Sequence, residues 1–178
     1  MRKYSLIRTD TKEVLGKTLF RIRAKISFGV VLKGELGGYI ESPENLSDSG
    51  AAWVYGDAQV YGDAWVYGDA QVSGDARVYG DARVYGDAEV YGDAGVYGDA
   101  WVYGDARVSG DADLLIVGQI GSRKATLTFT KSDKSAATGC FRGTIDEFAE
   151  AVVKTHGDSQ YGKVYQAAIA LAKVFFGI

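Results

Sequence analysis

The chain has 178 residues and a formal net charge of −3, with 24 Gly and 12 Tyr but only one Pro, one Cys and one His. One cysteine excludes a disulfide framework and a Cys-cluster zinc site, and one histidine excludes sites built from several histidines. No apolar run approaches the roughly 18 residues of a membrane span, and the first residues contain no apolar signal-peptide core. We therefore expect a soluble protein of a reducing, cytoplasmic compartment, with no membrane partner.

Residues 1–45 are predicted to form a β-rich N-terminal cap and connector. KYSLIR and TLFRIRAKISF alternate apolar and polar side chains, which is typical of half-buried strands, and TDTKE between them is interpreted as a turn. The Gly- and Ser-rich segment that follows is interpreted as a connection into the next part of the chain. Gly37, Gly38 and Pro43 are expected to mark breaks in it.

Residues 46–113 contain a six-residue repeat. From Ala52 to Asp111 the chain reads as ten consecutive hexads of the form A-x-V-Y/S-G-D. A fixed period outweighs local signals when a fold is predicted, and six does not fit a helix. Ala and Val lie two positions apart and share one face of a short strand, which we predict to be the interior, while Gly-Asp supplies a turn that the Asp caps. Three strands and three corners then make one triangular coil of 18 residues.

The hexads resemble the hexapeptide-repeat family, whose members form a left-handed parallel β-helix. The family pattern places a small residue four positions after an aliphatic one, as in Val54 and Ala58 or Val60 and Ala64. The resemblance implies the left-handedness, an exception to the usual right-handed crossover. We predict a mainly β chain, with a short left-handed parallel β-helix of about 3–4 coils between the N-terminal cap and a small C-terminal α+β domain. The flanking segments are expected to cap the two open ends of so short a coil.

Residues 18 apart are expected to stack in columns outside the coil, where all three Trp are predicted to lie. Three of the columns are mostly aromatic: Tyr61, Tyr79 and Tyr97; Tyr67, Tyr85 and Tyr103; and Trp65, Arg83 and Trp101. One interpretation is a structural ladder of stacked rings and cation–π contacts. Another is an interface for self-association or a partner protein, because Tyr, Trp and Arg are enriched at binding hot spots. Sugar stacking is a third, and the resemblance favours a homo-oligomer, with a trimer as its common form.

Ten Asp follow the Gly corners, from Asp57 to Asp111, and residues 51–113 carry a net charge of −9. Turn capping is the simplest explanation. One carboxylate per corner is a poor calcium site, because Ca²⁺ takes about six to eight oxygens. Mimicry of nucleic-acid phosphates is an alternative, against which the interleaved Arg77, Arg83 and Arg107 argue, and we expect no DNA partner.

Residues 114–178 are predicted to form an α+β domain of three strands and two helices. The strands are LLIVGQI, ATLTFTK and AATGCFRG. The first helix should begin after Thr144, because Glu147 three residues later completes a capping box, and it should end at Gly157. The second helix should begin near Ser159.

The turn between the first two of these strands is a candidate anion site. Its residues are Gly121, Ser122, Arg123 and Lys124, which combine backbone N–H groups with cationic side chains able to hold a phosphate. Arg142 would add a second charge if the neighbouring strands pair. An ordinary basic turn is the competing interpretation.

Catalysis is not expected, and neither is a cofactor or a metal. Many hexapeptide-repeat acyltransferases use a histidine base, and the hexads contain none. His156 is interpreted as a residue that meets the dipole at the end of the first helix, and Cys140 as a partly buried strand residue. A Cys140–His156 nucleophile pair is the alternative, and no family motif supports it.

The whole chain also resembles a group of phage and prophage proteins usually labelled polymer-forming. The shared segments are LFRIRA, GELGGYIES, IGSR and GCFRGTIDEF. The resemblance implies a setting and carries no functional residue. We expect a non-catalytic binding and oligomerisation protein of phage or prophage origin. The alternative is a counter-defence protein that inhibits a host enzyme or sequesters a phosphate-bearing signal nucleotide.

Overall fold

An antiparallel hairpin opens the computed structural model, which describes residues 2–178 apart from the Asp111 side chain. Strands β1 (Tyr4–Val14) and β2 (Lys17–Ala24) meet at a two-residue turn, where Leu15 and Gly16 have φ angles of 51° and 78°. Positive φ at both turn residues matches the right-handed twist of the paired strands. The prediction of a turn at TDTKE is wrong, because these residues continue β1 beyond an irregularity between Ile7 and Thr11.

The Gly- and Ser-rich segment predicted to be a connector forms a strand at Gly37 and Gly38, where breaks in regular structure were expected. β3 (Leu36–Ile40) pairs antiparallel with β2 and parallel with β5 (Gln59–Val60), so it belongs to the first coil. Gly37 is needed for a close approach, since a Cβ there would lie 2.6 Å from the carbonyl oxygen of Val54. Pro43 begins a short 3₁₀ turn that ends at Asn45.

The hexads form two-residue strands joined by corners. These strands, β4 to β13 in chain order, are Trp53–Val54, Gln59–Val60, Trp65–Val66, Gln71–Val72, Arg77–Val78, Arg83–Val84, Glu89–Val90, Gly95–Val96, Trp101–Val102 and Arg107–Val108. Every third strand pairs in parallel and builds one of three faces. The first face continues the hairpin in the order β1-β2-β3-β5-β8-β11, the second is β6-β9-β12, and the third is β4-β7-β10-β13. The result is a solenoid of about four turns.

The interior of the solenoid is made of the repeated Ala and Val, as predicted. Val60 and Ala70, for example, have no exposed surface. The corners of the first nine hexads turn at a Gly with positive φ, whereas Gly110 of the tenth is extended; a backbone bond of 3.1 Å from Ala58 N to Tyr55 O closes the first corner. The backbone therefore closes this corner, while the Asp57 carboxylate pairs with Lys12 Nζ at 2.9 Å.

The N-terminal cap covers the first coil. Trp53 is completely buried, although the hexad pattern predicts it outside, so that prediction is wrong. Its ring packs edge-on against Tyr4 and Phe28, at centroid distances of 6.3 and 5.4 Å. The coil alone would expose this tryptophan, and docking of the cap encloses it.

A four-stranded antiparallel sheet follows the solenoid. Its strands are β14 (Leu114–Ile120), β15 (Ala125–Thr130), β16 (Ser135–Thr138) and β17 (Phe141–Thr144), in that spatial order. The extent predicted for the third strand is wrong. A turn at Gly139, where φ is 53°, divides AATGCFRG between β16 and β17. Cys140 is therefore an exposed turn residue, and its prediction as a partly buried strand residue is also wrong.

Two helices cover this sheet. α1 (Ile145–His156) begins with the predicted Thr144–Glu147 capping box and ends at Gly157, and α2 spans Gln160–Phe176. Their inner faces share one core with the sheet, in which the side chains of Leu127, Phe129 and Phe148 are buried. The mainly β fold with strands before the solenoid and an α+β region after it is confirmed, while left-handedness stays a prediction.

The C-terminal domain closes the last coil through hydrogen bonds to its free strand edges. The backbone N–H of Trp101 donates to Thr128 Oγ1 at 3.2 Å, and that of Arg107 donates to Ser132 Oγ at 2.7 Å. These donors would pair with the next coil if the repeat continued. The domain thus satisfies the exposed end of the ladder.

Candidate functional site

The Gly121–Lys124 turn joins β14 to β15 and stands at the edge of a pocket. Gly121 has φ of 72° and Lys124 of 49°, and the turn is closed by a 3.3 Å bond from Lys124 N to Gly121 O. Gly121 lies directly against the hydroxyl of Tyr165 on α2, where a side chain would not fit. This contact fixes the turn against the helix.

The pocket lies between this turn, the β16–β17 turn and the two helices, and has a volume of about 410 Å³. Its apolar lining comes mainly from Phe141, Phe148 and Val152. Its polar lining is contributed by Ser122, Arg123, Thr138, Cys140, Thr155, His156 and Tyr165. The sequence pattern singled out Arg123 in its turn and, separately, Cys140 with His156, and the structure brings all three residues to one cavity.

Arg123 is the only cationic Lys or Arg side chain on the pocket wall. Its side chain is exposed and, within residues 2–178, forms no ion pair. Its one hydrogen-bond contact is to a weak acceptor, Cys140 Sγ, at 3.6 Å from Nη1. A guanidinium held this way keeps most of its donors available for an anion.

Four residues on the wall of the same pocket carry hydroxyl groups, and two of these, Thr138 and Tyr165, have unusual surroundings. Thr138 Oγ1 is buried and has no hydrogen-bond partner among the described residues. Burial raises the pKa of the Tyr165 hydroxyl, while the charge of Arg123 acts in the opposite direction. The Tyr165 hydroxyl therefore keeps its proton at neutral pH, and both groups can donate to a ligand.

His156 lies at the end of α1, as predicted, and packs on aromatic rings. Its ring centroid is 5.5 Å from that of Tyr165 and 6.3 Å from that of Tyr161. Tyr165 in turn meets Phe148 edge-on at 5.4 Å. A continuous aromatic wall therefore adjoins the cationic Arg123. The sequence offered helical spacing as the only signal for Tyr165, and that spacing also fits a plain core residue.

The other two predicted anion-site residues lie elsewhere. Lys124 belongs to the same turn but does not line the pocket. Arg142 points to the solenoid: its guanidinium carbon is 3.6 Å from the centroid of Trp101, and its Nε donates to Tyr85 Oη at 3.2 Å. Arg142 therefore helps to fasten the C-terminal domain to the coil.

The tyrosine columns stack as predicted, and the flanking domains cover much of them. Tyr61 and Tyr79 are parallel within 3° at 5.1 Å, and Tyr61 is buried beside Leu19 and Tyr39 of the N-terminal strands. In the second column, Tyr67 stacks on Tyr85 and Tyr85 on Tyr103. Neighbouring rings in a column cover each other's faces. Among the tyrosines of these two columns, only Tyr97, at 45% exposure, presents a large accessible surface.

The tryptophan column is only partly a cation–π stack. Arg83 lies over Trp101 at 4.9 Å, whereas Trp65 stacks on Tyr67 at 4.2 Å. Trp65 remains 41% exposed. These contacts match the structural-ladder interpretation more closely than an open aromatic surface.

Neither a metal cluster nor a membrane helix is found in residues 2–178. No group of three or more His, Cys, Asp or Glu side chains is arranged to hold a metal ion there. Neither of the described helices combines the length and the apolar character needed to cross a bilayer.

The fold and its pairing pattern define a β-solenoid repeat protein with a domain at each end. The family model of the YdcK β-solenoid repeat matches residues 58–74, 70–86 and 76–92. The chain is thus similar to that repeat family over the central coils. A search of curated proteins gives no match to the chain.

Proposed function

We propose that the protein is a non-catalytic binding protein whose C-terminal pocket holds a small anionic molecule with a flat ring. The observation that carries the proposal is Arg123, a cation without a carboxylate partner in residues 2–178, at an aromatic-lined cavity. Guanidinium groups pair strongly with carboxylates and phosphates. A cavity of about 410 Å³ lies in the range of small-molecule sites, which join apolar walls to a few polar groups.

A phosphate-bearing nucleotide has the chemistry that this pocket would recognise. Its phosphate would meet Arg123 and the hydroxyl of Ser122, and its base would lie against Phe141 and Phe148. The unpaired Thr138 hydroxyl would serve a polar atom of the base or sugar. In the phage setting implied by the sequence resemblance, the protein would sequester such a nucleotide, and the solenoid would act as a rigid support.

Calorimetric titration and thermal unfolding with AMP, adenosine and inorganic phosphate test the proposal. We expect AMP to bind and to raise the unfolding temperature, and we expect adenosine and phosphate alone to bind much more weakly. Removing a charge-assisted contact costs about 1.5–3 kcal/mol, so Arg123→Ala should weaken AMP binding roughly 10- to 100-fold. Lys124→Ala is the matched control, because it removes a charge from the same turn but not from the pocket. Equal binding by the Arg123→Ala protein would refute the site.

The same titrations separate binding from catalysis. Cys140 and His156 both line the pocket, which leaves a nucleophilic enzyme as the competing function. Under the binding proposal, AMP is recovered intact after prolonged incubation. Turnover of AMP or of a dinucleotide that disappears in Cys140→Ser would replace the proposal with the enzyme.

A further inference from the structure

We infer that the protein pairs with a second copy of itself through the outer face of α2. This helix carries two apolar stripes. The inner stripe is buried in the domain core and consists of Tyr165, Ala168, Ile169, Ala172 and Phe176. The second, called the outer stripe from here on, consists of Val164, Ala167, Ala170, Leu171, Val174 and Phe175. Leu171 is 52% exposed, Val174 81% and Phe175 47%.

The spacing of the outer stripe fits a helix partner. Val164 and Leu171 are seven residues apart, and Ala167 and Val174 each follow three residues later, at the alternate position of a heptad. Apolar residues at this spacing form the seam of paired helices. The apolar residues of the inner stripe already supply the packing that the domain needs, so a second seam has no partner within the described chain.

The electrostatics favour an uncharged surface as the partner. Two charged residues lie on α2: the exposed Lys163, at the N-terminal edge of the outer stripe, and Lys173. The Nζ of Lys173 donates to Asp146 Oδ1 at 2.8 Å, so this charge is directed to α1 and away from the outer stripe. From Ala167 onward the outer stripe presents no charge, and the exposed Lys163 at its start would lie beside the C-terminal end of the partner helix in an antiparallel pair, where a cation is favourable.

The side chains of the outer stripe change in size along the helix, which selects a second copy in antiparallel orientation. After the half-buried Val164, the first half holds the small Ala167 and Ala170, and the second half holds the larger Val174 and Phe175. An antiparallel pair around a two-fold axis near Leu171 places large side chains of one copy on small ones of the other. A parallel pair would crowd one end and leave a gap at the other. The face is therefore self-complementary, as a closed two-fold dimer requires.

The contact area sets the expected strength. From Val164 to Phe175 the stripe extends about 17 Å at the rise of an α-helix. One helix per copy gives an interface at the small end of the observed range, below about 1,200 Å² in total. We therefore expect a reversible dimer with a dissociation constant in the micromolar range. The aromatic columns of the solenoid, largely covered by the flanking domains, play no part in it.

Sedimentation velocity over about 1 to 200 μM protein tests the dimer. The mass should rise from 19.1 kDa toward twice that value with concentration. Leu171→Glu and Val174→Glu should each keep the protein monomeric at the highest concentration. Val153→Glu is the control: Val153 is an apolar α1 residue with 59% exposure, outside the outer stripe, and its replacement should leave the dimer intact. Circular dichroism establishes that each variant is folded.

A disulfide trap tests the orientation. In a Cys140→Ser background, Leu171→Cys should form a covalent dimer under mild oxidation, because the two-fold axis brings the two copies of residue 171 together. Val153→Cys in the same background should not. A protein that stays monomeric at about 200 μM, or a dimer that survives Leu171→Glu, would overturn the inference. So would monomers that sediment with phosphatidylglycerol vesicles and lose this binding in Leu171→Glu, since the outer stripe would then be a membrane-docking face.

Discussion

Gly121 packs directly against the hydroxyl of Tyr165, so a larger residue in the β14–β15 turn would have to displace this side chain of α2. A Cβ at this position would lie far inside van der Waals contact with the tyrosine ring and hydroxyl. The φ angle of 72° adds a second requirement for glycine. The contact holds Arg123, two residues later, at the pocket wall.

Gly121→Ala should destabilise the C-terminal domain by about 2 kcal/mol or more, through both strain at positive φ and displacement of Tyr165. It should also weaken binding in the pocket, because the turn must move. Denaturant titration measures the first effect. Gly118→Ala is the control, since a Cβ there meets nothing within 4 Å. Similar losses in both variants would show that the contact is not the cause.

Replacing glycine at a solenoid corner has two possible costs, backbone strain at positive φ and a steric clash with the next coil. Two corners allow these costs to be measured separately. At Gly80 a Cβ would lie 2.9 Å from Gly98 N, whereas at Gly104 it would meet nothing within 4 Å, and both have positive φ. Gly104→Ala should therefore cost about 1 kcal/mol from backbone strain alone. Gly80→Ala should cost at least about 1 kcal/mol more, since the stacked coils must part. Urea midpoints measure the difference, and equal midpoints would mean that the coils yield freely.

The Tyr103 hydroxyl joins the last coil to the C-terminal domain. It accepts the N–H of Gly143 at 2.8 Å and donates to the carbonyl of Ala136 at 3.2 Å. Tyr103→Phe leaves both backbone groups without this partner and should lower stability by about 1–3 kcal/mol. Tyr97→Phe is the control, because the hydroxyl of Tyr97 makes no hydrogen bond within residues 2–178. A loss of the same size in the control would assign the effect to the tyrosine stack.

Lys3 should make stability depend on pH in the alkaline range. Its Nζ donates to the carbonyls of Gly50 and Ala52 at 3.0 and 2.9 Å, and burial lowers the pKa of Lys3 to about 8, from an ordinary value of 10.5. Between these two pKa values the unfolded chain binds more protons than the folded one. The contribution of Lys3 to the free energy of unfolding therefore increases as the pH rises from about 8 to about 10.5. This stabilisation is absent below a pH of about 8.

The measurement for Lys3 compares denaturant unfolding of the wild type and Lys3→Met between pH 7 and pH 10.5. Other groups titrate equally in both proteins, so the difference isolates Lys3. The wild type should gain stability relative to the variant as the pH rises. A constant difference would mean that Lys3 keeps its proton throughout.

The parts of the fold that follow from local repetition were predictable. The Ala and Val of each hexad are buried because strand geometry alone places them on one face, and the Thr144–Glu147 capping box defines the start of α1 locally. Trp53 follows the same hexad pattern as Trp65, yet it is buried because a distant segment docks on it. The pattern of one segment holds no information about such docking.

The pocket was only partly predictable for the same reason. Arg123 could be identified from its basic turn. Cys140 was predicted to lie in a strand, but the chain turns at Gly139 and places Cys140 between β16 and β17. Tyr165 becomes a pocket residue only when α2 packs against Gly121. The cavity arises from contacts among four segments, the two turns and the two helices, each of which has an ordinary structural explanation by itself.

Because one coil contains three hexads, the number of hexads determines how the C-terminal domain is rotated about the solenoid axis. Each strand pairs with the one 18 residues later, as Glu89 does with Arg107, so a whole added coil restores the same face. It would move the C-terminal domain along the axis by about 4.8 Å without turning it. One added hexad would instead rotate that domain by a third of a turn. The outer stripe of α2 would then face a different direction from the N-terminal hairpin, and a dimer of such proteins would have a different shape.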